Sequence, residues 1–244
     1  MAREPDEPAL RARYDFPTAV EARFFYAIAS TPRSGSTYLC HRLWARGVLG
    51  APHEYFNYKA AMLQMAARVG AQDIDQYVRR LLALRTSPNG VFGFKAHRDQ
   101  FELVVMADLL RFFPGLRFIR IDRDDRLAQA VSLALAEQTG HWSFWQRWAR
   151  APAYDATHIR GCLDRLDRAA EQWDALFARE RIEPVCVRYE DLAEDAEATV
   201  DQILHRLDVP SPGAPRVSLP PCERLSGSLN REWIERYRRE AAIG

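Results

Sequence analysis

The sequence predicts an α/β domain: three layers, with a central parallel sheet between helices. Three observations carry this. Short apolar runs recur at residues 24–29, 91–95, 116–121 and 184–188, and most end in a turn signal. Longer segments with apolar residues three or four apart lie between them, the alternation that builds parallel sheets from strand, helix, strand units. The polar residues that stand out as chemistry-bearing follow the first three runs, where such sheets place their ligands.

A chain of 244 residues can bury about 70–75% of the surface its unfolded form exposes. Residues 1–22 mix Arg, Glu and Asp with three prolines and show no apolar period, so they are expected to be a loosely tied arm without a site residue. Residues 23–244 form the one domain. The run at 24–29 reads as a buried strand, and Leu39, Leu43 and Trp44 place a helix after it that stops near Gly47. Helical spacing follows over 58–69 and 73–85. The turn Ser87-Pro88-Asn89-Gly90 leads into the second strand, and a helix over 99–112 ends at Pro114-Gly115. Asp122 to Asp125 close the third strand and open a helix carrying Leu127, Val131 and Leu135. Helices over 155–180, 195–207 and 229–240 complete the chain, with a Pro-rich span at 209–222.

Composition narrows the function classes. With 34 basic against 33 acidic residues the formal charge is +1, which argues against a bulk electrostatic binder of nucleic acid or membrane. Cys40, Cys162, Cys186 and Cys222 show no zinc or redox spacing and read as reduced structural thiols. No apolar run is long enough for a membrane span and no leader pattern opens the chain, so the cytoplasm is the expected compartment.

The first turn, Thr31-Pro32-Arg33-Ser34-Gly35-Ser36-Thr37, combines a helix start, small residues, the hydroxyls of Ser34, Ser36 and Thr37 and the Arg33 guanidinium, the makings of a phosphate cradle. It lacks the Lys and the spacing of a nucleotide-triphosphatase loop. A capped helix start is the plainer reading of the turn taken alone. After the third strand, Arg123 and, nine residues on, Ser132 offer a second phosphate grip, unless Arg123 pairs with Asp124, Asp125 or a distant carboxylate on the surface.

This cradle, together with Glu54-Tyr55-Phe56, Pro88-Asn89-Gly90-Val91 before Lys95, Gln129-Ala130-Val131-Ser132 and Glu232-Trp233-Ile234 with Arg236-Tyr237-Arg238-Arg239, resembles the bacterial trehalose sulfotransferase family. The likeness runs in order from about residue 24 to 240. It implies a P-loop-like sulfotransferase fold and 3′-phosphoadenosine-5′-phosphosulfate (PAPS) as the sulfuryl donor, leaving 3′,5′-ADP. It further implies that Arg33, Ser34, Gly35, Ser36 and Thr37 hold the 5′-phosphosulfate and that Arg123 and Ser132 hold the 3′-phosphate. Arg33 and Lys95 would stabilise charge on the leaving phosphate, with no metal in the scheme. The acceptor would be a hydroxyl of a carbohydrate or glycoconjugate, and relatives in the resembled family can be homodimers.

Glu54 matches the family's base, and the apolar rings beside it lead to an expected raised pKa. Phe94-Lys95-Ala96-His97 also resembles the Lys-x-His of animal cytosolic sulfotransferases, where the His is the base; His97 is therefore the other candidate, or a positioner of the acceptor. His53 is expected to face outward. The family tends to place an Arg where this chain has Leu229, and Arg231 is taken as its substitute on the 3′-phosphate. Trp142, Trp145 and Trp148, three residues apart, read as one side of a helix that either faces a sugar or packs in a core or dimer. Tyr189-Glu190-Asp191-Leu192 resembles a segment common in sulfotransferases, while its acidic pair also suits a helix start. The rival classes are an ATP-dependent phosphotransferase, disfavoured by the absent Lys and magnesium carboxylate, and a non-catalytic nucleotide binder, disfavoured by Glu54, Lys95 and His97.

Overall fold

A computed structural model describes residues 7–143, 146–209, 216–220, 222 and 227–241. Its centre is a parallel four-stranded sheet of β1 (Phe24–Ser30), β2 (Val91–Ala96), β3 (Arg117–Asp122) and β4 (Val185–Arg188), in the order β2-β1-β3-β4. The chain leaves β1 toward β2 on one side and leaves β3 toward β4 on the other. The crevice between the ends of β1 and β3 is therefore the switch point where open parallel sheets bind ligands.

Around the sheet stand α1 (Ser36–Ala45), α2 (Ala61–Val69), α3 (Ile74–Arg85), α4 (Arg98–Met106), α5 (Arg126–Thr139), α6 (Ala156–Glu180), α7 (Tyr189–Glu194), α8 (Ala196–Leu207) and α9 (Ser228–Ala241). Side chains alternate across a strand, and the two faces separate cleanly. Phe25, Ala27 and Ala29 of β1 join Phe92, Phe94 and Phe118 under α2, α3, α4 and Trp173 of α6. Tyr26 and Ile28 join Ile119, Ile121 and Val187 under Leu39 and Leu43 of α1 and Ile203 of α8. A third cluster ties Val131 of α5 to Ile159 and Leu166 of α6 and Trp233 and Tyr237 of α9. Gly93 is needed in β2, because a Cβ there would lie 2.2 Å from Cζ of Tyr26, whose hydroxyl donates to the Leu49 carbonyl at 2.7 Å.

Several expectations change. The helix predicted over 99–112 divides, since Asp108 takes a left-handed φ of 53° and a short 3-10 turn, Leu109–Phe112, follows. The helix predicted from 195 is preceded by α7, whose first turn holds Glu190 and Asp191, and Asp195 caps the second piece through Ala198 N–H at 2.9 Å. The tryptophan stretch forms no helix among the described residues: Gly140 ends α5 at φ 71°, Trp142 and Trp148 stand exposed, and Trp145 lies outside the described residues.

The N-terminal segment is not loose where it is described. Leu10 is fully buried, Phe16 packs with Trp44 and Ala51, and the Phe16 N–H donates to the Leu84 carbonyl at 2.9 Å. Asp15 accepts from Arg68 at 2.7 Å and pairs with the buried Arg85 at 3.0 Å. The missing apolar period concealed this docking, because two irregular turns anchored by single side chains have no period to read.

Candidate active site

The cradle lies at the end of β1. Arg33 and Gly35 have left-handed φ of 62° and 88°, so the loop turns sharply and delivers the first N–H groups of α1 toward the crevice. Glycine is obligatory at 35, where a Cβ would stand 2.3 Å from the Tyr189 ring. Gln129 braces the turn from α5, its Nε2 donating to Thr31 Oγ1 at 2.8 Å and to the Pro32 carbonyl at 2.7 Å. The hydroxyl of Ser34, fully buried, finds no partner among the described residues. A buried hydroxyl left unpaired costs free energy, and an anion's oxygen in the cradle is a fitting acceptor for it.

Two guanidiniums meet beside the turn. Arg33 Nε donates to Ser132 Oγ at 2.9 Å and Nη1 to the Trp142 carbonyl at 2.9 Å. Burial, and then the charge of Arg123, push the Arg33 pKa down to about 10. Arg123 lies over the Tyr189 ring, Cζ 4.7 Å from its centroid, and its buried Nε has no hydrogen-bond partner among the described residues. The carboxylates expected to compete for it are engaged elsewhere: Asp124 with Arg188, and Asp125 with the Ala128 N–H at 2.9 Å. Like charges held this close, with polar atoms unsatisfied, favour a polyanion between them. Ser132, read from the sequence as part of the second grip, thus bonds to Arg33 of the first, and the two arginines sit near enough for their charges to interact.

Lys95 rises from the β2 face that α1 covers. Its Nζ donates to Thr37 Oγ1 at 3.0 Å and forms a short ion pair with Glu54 Oε1. Glu54 is held by its loop: the His53 carbonyl accepts from Lys95 N–H at 2.9 Å, and the rings of Tyr55 and Phe56 are fully buried beneath it. Glu54 Oε2 accepts from Asn57 Nδ2 at 2.7 Å and Gln100 Nε2 at 3.2 Å. The expected raised pKa is overturned. Burial by itself would raise it, but Lys95, His97 and the Lys95 hydrogen bond hold the carboxyl well below the usual carboxylate range. Lys95 is correspondingly raised, burial being outweighed by Glu54.

His97 caps α4. Its Nδ1 lies 3.2 Å from the Ser30 carbonyl, a pure acceptor, which places the ring proton on Nδ1 and leaves the Nε2 lone pair 3.6 Å from Glu54 Oε1. Burial pushes its pKa down against the pull of Glu54, so the ring is neutral near pH 7. His53 corrects its expectation: it turns inward, Nε2 being 2.6 Å from Glu7 Oε1.

Arg33, Gly35, Ser36 and Thr37 of the cradle line one cavity of about 1290 Å³ with Arg123, Ser132, Lys95, Glu54 and His97, while Ser34 is buried behind the wall. This volume exceeds the ~300–1,000 Å³ of an ordinary ligand pocket and leaves room for two reactants. Arg231 is not on its wall. Trp233 points α9 into the α5–α6 cluster, and a residue two positions earlier on a helix faces about 200° away, so Arg231 is exposed. Sequence reasoning gave no role to Gln129, Asn57, Gln100 or Glu7. Gln129 stood within a quoted motif, but an amide serving the turn from 98 residues away has no local signature. Among the described residues Glu137, His158 and Cys162 could hold a metal ion, yet Arg165 already places one nitrogen 2.8 and 2.7 Å from the two Glu137 oxygens.

A parallel sheet with an anion cradle at its switch point, two guanidiniums and a carboxylate–lysine pair in the same cavity is an arrangement suited to an enzyme that transfers an anionic group. The chain belongs to the Stf0 sulphotransferase family, whose description matches residues 25–240. It is 32% identical to trehalose 2-sulfotransferase of Mycolicibacterium smegmatis, over 93% of this chain and 97% of that one. It is 31% identical to the enzyme of the same name from Mycobacterium tuberculosis, over 88% and 95%. In fold it resembles the sulfotransferase domain from the curacin biosynthetic pathway, with a TM-score of 0.50 and 16% identity over 78% of this chain and 76% of that one. The protein is a sulfotransferase with a mixed α/β fold, as the sequence led one to expect.

Proposed function

We propose that this sulfotransferase uses PAPS as donor and a hydroxyl of a carbohydrate or glycosylated small molecule as acceptor, as the names of its mycobacterial relatives suggest. Residues 33–37 hold the 5′-phosphosulfate, and Arg123, with Ser132 positioning Arg33, holds the 3′-phosphate. The observation that carries this reading is the chain Glu54–Lys95–Thr37, which ties a carboxylate able to take a proton to the cradle that would hold the sulfuryl group. The acceptor oxygen bonds to sulfur as the bond from sulfur to the bridging phosphate oxygen breaks. The electron pair leaves on 3′,5′-ADP, and the acceptor proton passes to Glu54.

Lys95 gives this pair a donor-dependent basicity. With the cradle empty its charge is spent on Glu54, and the carboxylate is a weak base. An anionic donor at Thr37 competes for that charge, so Glu54 gains basicity as the reactants assemble. His97, neutral and adjacent, orients the acceptor hydroxyl. The four cysteines, all unpaired, suit a reducing compartment, and we assign the enzyme to the cytoplasm. Among the described residues no helix is long and apolar enough to cross a membrane. A homodimer is the proposed assembly, to be checked by sedimentation.

Calorimetric titration tests the donor: tight binding of 3′,5′-ADP with little affinity for ATP–magnesium is expected, and the reverse preference refutes the reading. For the base, Glu54→Gln should abolish turnover and leave 3′,5′-ADP affinity nearly intact. A dead His97→Ala beside an active Glu54→Gln would transfer the role to His97.

A further inference from the structure

We infer that the N-terminal segment builds a carbohydrate subsite beside the reacting centre, in which Glu7 and His53 together recognise acceptor hydroxyls. This rests on the sulfotransferase reading of the cavity. Glu7, Pro8 and Ala9 line the same cavity as Glu54 and the cradle. They are held there by the buried Leu10 and Phe16 and by Asp15 between Arg68 and Arg85. The Glu7 N–H donates to Gln64 Oε1 at 3.2 Å, and its carboxylate meets His53 Nε2 at 2.6 Å. His53 is the residue before Glu54, and its own carbonyl is the one fastened to Lys95. Glu7 is thus two side chains from the carboxylate that would take the acceptor proton.

The chemistry at this end of the cavity differs from that of the donor end. Arg33 and Arg123 attract anions; Glu7 repels them, and its negative charge reaches Lys95. A neutral, polyhydroxylated molecule fits where a second phosphate does not. A carboxylate accepts hydrogen bonds from hydroxyls strongly, and the imidazole beside it can donate or accept. His53 Nδ1, buried, has no partner among the described residues. Tyr58 and Trp142, 44% and 43% exposed, also line the cavity and offer ring faces to the C–H side of a sugar.

Saturation-transfer NMR on the full chain saturated with 3′,5′-ADP tests this, with trehalose, maltose and glucose as probes, for the wild type, Glu7→Gln and His53→Gln. Glu7→Gln keeps the Leu10 and Phe16 anchors, and an unchanged melting temperature verifies that. The expected result is that at least one sugar binds the wild type and is weakened about tenfold in both variants, the scale of one charge-assisted hydrogen bond, while 3′,5′-ADP affinity stays the same. Turnover should show the same change in KM for the sugar, with kcat altered far less. Equal sugar binding in wild type and variants overturns the subsite, as does the absence of any sugar binding to a chain that holds 3′,5′-ADP normally. Failure to bind 3′,5′-ADP sinks the donor reading instead, and with it the inference.

Discussion

Replacing Lys95 by Met removes the one cation within hydrogen-bonding reach of Glu54 among the described residues. Lys95 is 4% exposed and the Glu54 side chain 19%, so this pair lies out of bulk water. Removing one partner of a buried pair typically costs about 3–5 kcal/mol, because the other charge is left uncompensated. Glu54 keeps the amides of Asn57 and Gln100, which places Lys95→Met at the lower end, about 3 kcal/mol. Glu54→Gln removes the anion that offsets the buried Lys95 ammonium, leaving it only neutral acceptors such as Thr37 Oγ1 among the described residues, and should cost a similar amount. The double variant contains neither stranded charge, so its cost should fall short of the sum by about 2 kcal/mol. Urea unfolding at pH 7 without ligand, followed by circular dichroism, measures all four corners. The sign with pH is fixed as well. In the wild type the depressed Glu54 pKa contributes stability present above the ordinary carboxylate range and lost only as pH falls through the folded value. Without Lys95 that depression disappears, burial raises the pKa, and protonation on acidifying relieves the variant; its deficit should shrink from pH 7 to pH 5. Additive costs within about 0.5 kcal/mol, or a deficit that grows on acidifying, would refute the coupling.

Three more outcomes follow from other parts of the site and core. Arg123→Ala should weaken 3′,5′-ADP by about 1.5–3 kcal/mol in calorimetry, as for a charge-assisted bond, and an unchanged affinity would remove Arg123 from the 3′-phosphate. Gly93→Ala should destabilise the fold by about 1–3 kcal/mol, since a Cβ meets the Tyr26 ring at 2.2 Å; an unchanged melting temperature would show that the ring moves freely. His97 has a folded pKa below its unfolded one, so its contribution is present above about pH 6.5 and is lost as pH falls below it. His97→Asn should therefore flatten the fall in unfolding free energy between pH 7 and 5.5 without abolishing it, because His41 is lowered too. A slope equal to that of the wild type would contradict the assignment.

The sheet was legible because its strands are short apolar runs, most of them closed by a turn, and the burial of β1 and β2 on both faces demands such runs. The cradle was legible because a strand-to-helix turn and its hydroxyls lie within seven residues, 31–37, of continuous sequence. Helix ends were less so. Asp108 adopts a left-handed φ without glycine to announce it, and the stretch after Gly140 spaces its tryptophans as a helix would, yet forms none among the described residues. Arg231 looked right by position alone, yet the phase of α9, set by Trp233 and Tyr237, turns it outward.

By itself, then, the sequence determined the α/β class, the order of the strands along the chain, the anion cradle and the residue types of the reacting centre, since all of these reside in local pattern or contiguous motif. Tertiary structure alone decided which charges meet. It placed Lys95 against Glu54 and so reversed the expected direction of the carboxyl's pKa, set Arg33 against Ser132 and near the charge of Arg123, and brought Glu7 to His53 across 46 positions. Coulomb energy and desolvation depend on distance and burial in space, and neither can be read from separation along the chain.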